Sequence, residues 1–160
     1  FLVRWPGVIP PASVQTALAI NPDFAPTFMD LAGLAVPSEM QGRSLAPVLR
    51  GRTPADWRSS MYYRYYHDPG DHNTRAHYGV RTRTHKLITF WKKDQWELYD
   101  LVNDPYELHN LYGQPGQEAL TATLKAELVR LKRELRDDDQ LADVQLPNGV
   151  DGAVARLRGK

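Results

Sequence analysis

Met61-Tyr62-Tyr63-Arg64-Tyr65-Tyr66, Tyr78-Gly79-Val80-Arg81-Thr82, Lys86-Leu87-Ile88-Thr89-Phe90-Trp91 and Trp96-Glu97-Leu98-Tyr99-Asp100 follow one another between Ser60 and Asp100, and their reading decides the fold. All four are short, rich in aromatic or β-branched side chains, and bounded by polar or turn residues, which is the pattern of strands. Arg83-Thr84-His85 and Lys92-Lys93-Asp94-Gln95 are connections of hairpin length. The four segments are therefore expected to form one antiparallel sheet, with a longer polar loop, His67 to Arg75, joining the first two strands.

Outward toward the C-terminus, Asp104-Pro105-Tyr106-Glu107 is a turn in which Asp104 is expected to bond backbone N–H groups. Leu120, Leu124, Leu128, Leu131 and Leu135 recur at helical spacing, with Glu118, Lys125, Glu127, Arg130 and Lys132 on the other side. This predicts an amphipathic helix from Gly116 to Arg136 that covers one face of the sheet and makes the chain α+β. Asp137-Asp138-Asp139 reads as a solvated acidic run, and residues 137–160 as a tail. Outward toward the N-terminus, Leu2-Val3-Arg4-Trp5 reads as a strand stopping at the Pro6-Gly7 turn, followed by a Pro-interrupted connector. Asn21-Pro22-Asp23 starts a helix carrying Phe24, Thr27, Phe28 and Leu31, and Gly33 closes it. Ser44 to Leu49 reads as a short helical turn ending near Gly51. The expected divisions are residues 1–56, 57–136 and 137–160.

Composition limits the chemistry. The 20 basic and 19 acidic residues leave a net charge of +1, so no global field favours nucleic acid. No apolar run approaches the ~20 residues that span a bilayer. Cys is absent, which excludes disulfides, thiolate metal sites and a cysteine nucleophile within these residues. The chain opens on Phe1 without an initiator Met or a signal pattern and reads as part of a longer polypeptide. No phosphate-cradling Gly loop, His-Glu-x-x-His helix or Gly-x-Ser-x-Gly elbow is found.

Positive charge gathers in the middle: residues 57–100 hold eight basic and five acidic side chains and four of the five His. Within that block His67, His72 and His77 recur every five residues, with Asn73 and Arg75 between them. Imidazole and amide groups bond sugar hydroxyls, and the Arg fork suits a carboxylate or sulfate. A three-His metal site is disfavoured, because five-residue spacing places no pair on one face of a helix or strand. The alternative reading of the loop is packing against a neighbouring domain.

Three stretches, in order, resemble the C-terminal portion of the sulfatase family, on the alkaline-phosphatase-like fold. Val3-Arg4-Trp5-Pro6-Gly7 is similar to a family strand ending in Arg-x-Pro-Gly. Asp23-Phe24-Ala25-Pro26-Thr27-Phe28-Met29-Asp30-Leu31-Ala32-Gly33 with Gln41-Gly42-Arg43-Ser44-Leu45 resembles a second signature. Gly79-Val80-Arg81-Thr82, Lys86-Leu87, Glu97-Leu98-Tyr99-Asp100-Leu101 and Asp104-Pro105-Tyr106-Glu107-Leu108-His109-Asn110-Leu111 resemble the closing one. The stretch His72-Asn73 to Tyr78-Gly79, after the Tyr-rich strand, is most similar to mucin-desulfating, N-acetylglucosamine-6-sulfatase-like members.

The resemblance implies that residues 1–56 end the main sulfatase domain, with a strand and helix of its sheet layer, and that 57–136 form the C-terminal subdomain. It implies a sulfuric ester hydrolase acting on sulfated glycans, with the N-terminal catalytic domain of the same polypeptide as partner and no membrane or nucleic acid involved. It also implies a periplasmic or secreted location. Formylglycine and calcium belong, by the same resemblance, to the N-terminal part. The formylglycine motif does not occur in this sequence, so no catalytic residue and no metal ligand is expected here and the isolated chain should be silent. A substrate-binding role is transferred to His67, His72, Arg75 and His77, and more weakly to Asp68 and Asn73. Asp23, Thr27, Gly33, Asp104 and Asn110 have structural readings, and Arg81 and Lys86 are assigned to strand pairing. The alternatives are a non-catalytic carbohydrate-binding or interaction module derived from a sulfatase, and a phosphodiesterase or phosphoglycerate mutase on the same superfold.

Overall fold

The computed structural model describes residues 1–70 and 73–139. The chain divides into two compact units, the first spanning Phe1–Ser59 and the second starting at Ser60.

In the second unit, β1 (Ser60–Tyr65), β2 (His77–Thr82), β3 (His85–Phe90) and β4 (Gln95–Asp100) form a four-stranded antiparallel sheet in sequential order. Tyr62 pairs with Val80, Val80 with Leu87, and Leu87 with Leu98, so this row of side chains shares one face. Helix α3 (Glu118–Glu134) lies on that face. Its Leu124, Leu128 and Leu131 close over Val80, Leu87 and Leu98 to make the core, flanked by Tyr62, Tyr78, Trp96, Tyr112 and Leu120. Each such Leu contributes ~1.5–3 kcal/mol by leaving water. The predicted stripe, strands and sheet order are thus all present, with element ends shifted by one or two residues.

Polar groups fasten the helix to β1. Ser60 Oγ donates to the Glu127 carboxylate, which Arg130 Nε also meets at 2.7 Å. These bonds, Arg130 first, hold the Glu127 carboxyl down from its ordinary 4.5 to about 2 despite partial burial. A carboxyl whose folded pKa is depressed adds stability above its unfolded pKa and loses it as pH falls toward the folded one. Stability is therefore expected to drop as pH is lowered from about 4.5 to about 2, and Glu127→Gln should flatten that part of an acid-unfolding profile followed by circular dichroism. An unchanged acid limb would show that Glu127 does not fasten the helix.

Asp138 and Asp139 are exposed, as a solvated acidic run would be, but Asp137 is not; residues 140–160 of the expected tail lie outside the described residues. Asp137 is only 14% exposed, accepts from Tyr62 Oη, and pairs with Arg64 Nη1 at 2.8 Å. Asp139 receives Lys132 Nζ at 2.8 Å. Burial opposes the charge on Asp137, but the bonds from Tyr62 and Arg64 hold its pKa below the ordinary carboxylate range. Arg64, 3% exposed, needs this counter-charge, and its guanidinium also lies 4.6 Å from the Trp91 ring. The buried cation recruits the acid; that is why residues 137–139 fold back onto β1.

Beyond β4, Asp104 accepts the His109 N–H at 2.8 Å, as a turn acid should. Asn110 does more than bond a turn. Its Oδ1 accepts from the Leu98 N–H at 2.9 Å and its Nδ2 donates to the Trp96 carbonyl at 3.1 Å, while the Leu111 N–H bonds the Leu98 carbonyl at 2.8 Å. The side-chain amide stands in for a neighbouring strand.

In the first unit a helical turn (Asn21–Asp23) runs into α1 (Phe24–Leu31), and Gly33, at a φ of 71°, closes it. α2 (Ala46–Leu49) ends before Gly51. The Asp23 side chain is fully buried: Arg58 grips both its oxygens, one at 2.7 Å, and the N–H groups of Ile20 and Arg43 donate to it at 2.9 and 2.8 Å. Thr27 Oγ1 donates to the Asp23 carbonyl and accepts the Leu45 N–H at 2.8 Å. Gly42 leaves the room this needs, since a Cβ there would sit 1.9 Å from the Pro22 carbonyl oxygen. The helix-start reading of Asp23 and Thr27 therefore understates them; they tie the whole unit.

The expected strand at Leu2–Trp5 is not formed. A strand exists through its ladder, and no described segment of the first unit offers one. Leu2 is 99% and Phe1 77% exposed. The turn at Pro6-Gly7 is present, with the Val8 N–H on the Trp5 carbonyl at 3.1 Å. No helix among the described residues is long and apolar enough to cross a membrane.

Candidate functional site

The loop between β1 and β2 opens from one end of the sheet, and His67 from the loop and His77 from β2 both meet Tyr65 on the sheet face away from α3. Alternation along β1 and β2 puts Tyr63, Tyr65, His77 and Gly79 there, and Tyr65 stands directly opposite His77. Phe90, two residues beyond Ile88 on β3, joins the same face. The His77 ring is stacked on Tyr65 at 5.6 Å, meets Tyr63 edge-on at 5.8 Å and leans on Phe90 at 5.5 Å. His67 meets Tyr65 edge-on at 5.7 Å. Tyr65 therefore joins two imidazoles that are ten positions apart in the sequence.

Arg75 joins the group twice. Its carbonyl lies 2.7 Å from His77 Nδ1, and its Nη1 lies 3.2 Å from Asp68 Oδ1. The Asp68 side chain is largely buried, while that of Arg75 is 36% exposed, so a cation is held in place yet remains accessible to an anion. Asn73 serves the turn: it has a φ of 61° and its N–H donates to the Gly70 carbonyl at 3.1 Å. Gly70 is buried against the hydroxyl end of Tyr65, where a Cβ would come within 1.9 Å of the oxygen. His72 lies outside the described residues. His67, Arg75 and His77 are thus brought together, Asp68 orients Arg75, and Asn73 shapes the backbone.

Tyr63, Tyr65 and Phe90 were missing from the sequence reading. The signal was present in the hairpin register: once β1 and β2 pair, alternation alone puts both Tyr beside His77. Two polar atoms of this cluster, Tyr63 Oη and His67 Nδ1, are buried without a partner among the described residues. Burial, with the nearby Glu107 and Glu97 carboxylates, pushes the Tyr63 phenol well above its ordinary pKa and keeps it a neutral hydroxyl. Farther along this face Lys86 meets Glu107, and burial with the Glu97 bond raises Tyr99 to about 12. Lys86 lies opposite Arg81 in the ladder, a pair of like charges, and its own charge is met by Glu107.

The arrangement can bind a polar, anionic, ring-bearing ligand: one accessible guanidinium, two imidazoles and aromatic faces. Among the described residues it offers no nucleophile with an adjacent base. Among the described residues no group of three His, Asp or Glu side chains converges to hold a metal ion. The first unit has a groove of about 520 Å³ lined mainly by Phe1, Val3, Phe24, Phe28, Leu31 and Leu49. It is apolar, and Thr27 Oγ1 in it is already bonded on both sides, so it lacks the converging polar groups a charged sugar requires.

Residues 1–134 match the family described as N-sulphoglucosamine sulphohydrolase, C-terminal. The N-acetylglucosamine-6-O-sulfatase of Bacteroides thetaiotaomicron is 43% identical over 141 residues, covering 86% of this chain and 25% of that protein. The solved structure of BT4656 with its substrate D-glucosamine-2-N,6-O-disulfate superposes with a TM-score of 0.80 at 43% identity, over 85% of this chain and 28% of that one. That of BT1596, a 2-O GAG sulfatase, gives 0.64 at 32% identity, over 73% and 25%. The chain spans about a quarter of the length of these relatives. Its four-stranded sheet under a long helix is accordingly the C-terminal subdomain of an alkaline-phosphatase-like sulfatase fold, and the chain belongs to the N-sulphoglucosamine sulphohydrolase C-terminal family of sulfatases.

Proposed function

We propose that this chain is the C-terminal part of an enzyme that hydrolyses sulfate esters of glycans, 6-sulfated N-acetylglucosamine foremost, and that it supplies a wall of the substrate cleft. The observation that carries the reading is the joining of His67 and His77 by Tyr65, with the Arg75 backbone on His77 and its guanidinium held by Asp68, in a chain 43% identical to an N-acetylglucosamine-6-O-sulfatase over 86% of its length. Arg75 faces the sulfate or another anionic group, while His67 and His77 face sugar hydroxyls. His72 belongs to the same loop and is given the same role.

Sulfate hydrolysis needs an activated nucleophile, a cation at the sulfate oxygens and an acid for the leaving alcohol. The sequence has no Cys and no formylglycine motif, and the described residues converge on no metal, so they do not fit formylglycine or calcium. Those groups are assigned to the N-terminal catalytic domain of the same polypeptide, in a periplasmic or secreted enzyme, and this chain's own contribution is binding and orientation.

The test is turnover of 6-sulfated N-acetylglucosamine by the full-length gene product. Arg75→Ala should lower kcat/KM roughly ten- to hundredfold, the ~1.5–3 kcal/mol of a hydrogen bond to a charged group, and His77→Ala roughly five- to tenfold, about one neutral hydrogen bond, with calcium content unchanged. Wild-type kinetics in both variants would remove the loop from the site. A full-length product that binds the sugar but never releases sulfate would replace the enzyme by a binding module.

A further inference from the structure

The His77 ring has one nitrogen committed and one free. Nδ1 lies 2.7 Å from the Arg75 carbonyl oxygen. A carbonyl only accepts, so Nδ1 carries the proton, and in the neutral ring Nε2 is a bare lone pair. No described residue bonds Nε2. The plane of the ring is set by Tyr65, stacked on it at an interplanar angle of 22°. Tyr65 is itself seated from the loop side: its hydroxyl end rests against Gly70, whose N–H is fixed on the Thr74 carbonyl at 2.7 Å.

We propose that Tyr65 is a positioning residue that holds His77 in the Nδ1–H tautomer with Nε2 presented as an acceptor, so that His77 reads a ligand hydroxyl and leaves the anionic group to Arg75. The inference rests on the glycan reading of this loop and refines it. Sulfate oxygens only accept, so they find no donor at a bare Nε2; a sugar hydroxyl does donate. His77 and Arg75, two positions apart in the chain, thus recognise different halves of a sulfated sugar. Gly70 and Tyr65 form the support that keeps the imidazole plane fixed, which matters because a ligand atom must meet a lone pair along its axis.

The experiment is imidazole ¹⁵N–¹H correlation spectroscopy on the full-length gene product with labelled histidine and arginine, in alkaline buffer where an ordinary imidazole is neutral. His77 should show protonated Nδ1 and bare Nε2. Added N-acetylglucosamine 6-sulfate should move Nε2, whereas inorganic sulfate should move the Arg75 guanidinium and leave Nε2 in place. Tyr65→Leu should give mixed tautomers and weaken sugar binding roughly five- to tenfold, about one neutral hydrogen bond, and Tyr65→Phe should restore both, since the ring and not the hydroxyl does the positioning. If Tyr65→Leu does not fold, Gly70→Ala displaces the same ring from the loop side and should produce the same mixture. An Nε2–H tautomer in the parent chain, or unchanged His77 signals in the variant, overturns the proposal. A loop silent to sugar and sulfate alike, with the Nδ1–H tautomer intact, overturns instead the glycan reading beneath it.

Discussion

Asp23→Ala is expected to unfold residues 1–59 while leaving the sheet of the second unit intact. The carboxylate is fully buried, gripped by Arg58 through both oxygens and bonded by two backbone N–H groups. Removing it strands a guanidinium that is only 14% exposed, and breaking such a pair from one side costs ~3–5 kcal/mol. The unit has few other means of resisting: its buried apolar side chains are Leu45, Ala46 and Val48, with Pro26 beside them. Limited proteolysis should therefore cut within residues 1–59 of the variant and stop at β1. Asp23→Asn, which keeps acceptor capacity but loses the charge, should fall between. A fully protease-resistant Asp23→Ala would show that the helix and turns hold without the carboxylate.

The second large effect belongs to Leu128, which is 3% exposed under the sheet between Leu124 and Leu131. Leu128→Asp replaces a packed side chain by a carboxylate with no partner at that depth, and the charge must either stay unpaired or draw water into the core. The loss exceeds the ~2–5 kcal/mol of a Leu→Ala cavity, enough to prevent stable folding of a domain of ordinary stability. Leu128→Ala is the graded control and should fold with a lowered melting temperature. A soluble Leu128→Asp chain melting with the parent would refute the packing of α3 on β1, β2 and β3.

The two predictions differ in how legible their basis was. Leu128 could be read directly, because the spacing of Leu120 to Leu135 is a local, periodic signal and a helix with one apolar stripe must bury it. The strands were legible for the same reason, and their short connections left little choice of partner. Asp23 was read only as a helix start. Its real partners are Arg58 and the Arg43 backbone, 35 and 20 positions away, and no local pattern shows such a bond. Asp137 was misread for the same cause: the Arg64 that recruits it lies 73 positions earlier. The strand at Leu2–Trp5 failed because a short apolar stretch ending at a Pro-Gly turn can only nominate a strand, and a neighbouring backbone has to accept it. At the candidate site, residue types were legible and their mutual geometry was not. His67, Arg75 and His77 stood out by composition, but Tyr65, which joins them, is visible only after the register of β1 and β2 is known.

Asn110 has a consequence for self-association. A sheet's outer strand is a template on which another chain can add itself. On β4 the positions where a newcomer would dock are taken, since Asn110 and Leu111 occupy the N–H and carbonyl of Leu98 and the carbonyl of Trp96. One amide side chain thereby sets the width of the sheet and guards that border against fibre-like growth, a protection no amount of core packing provides.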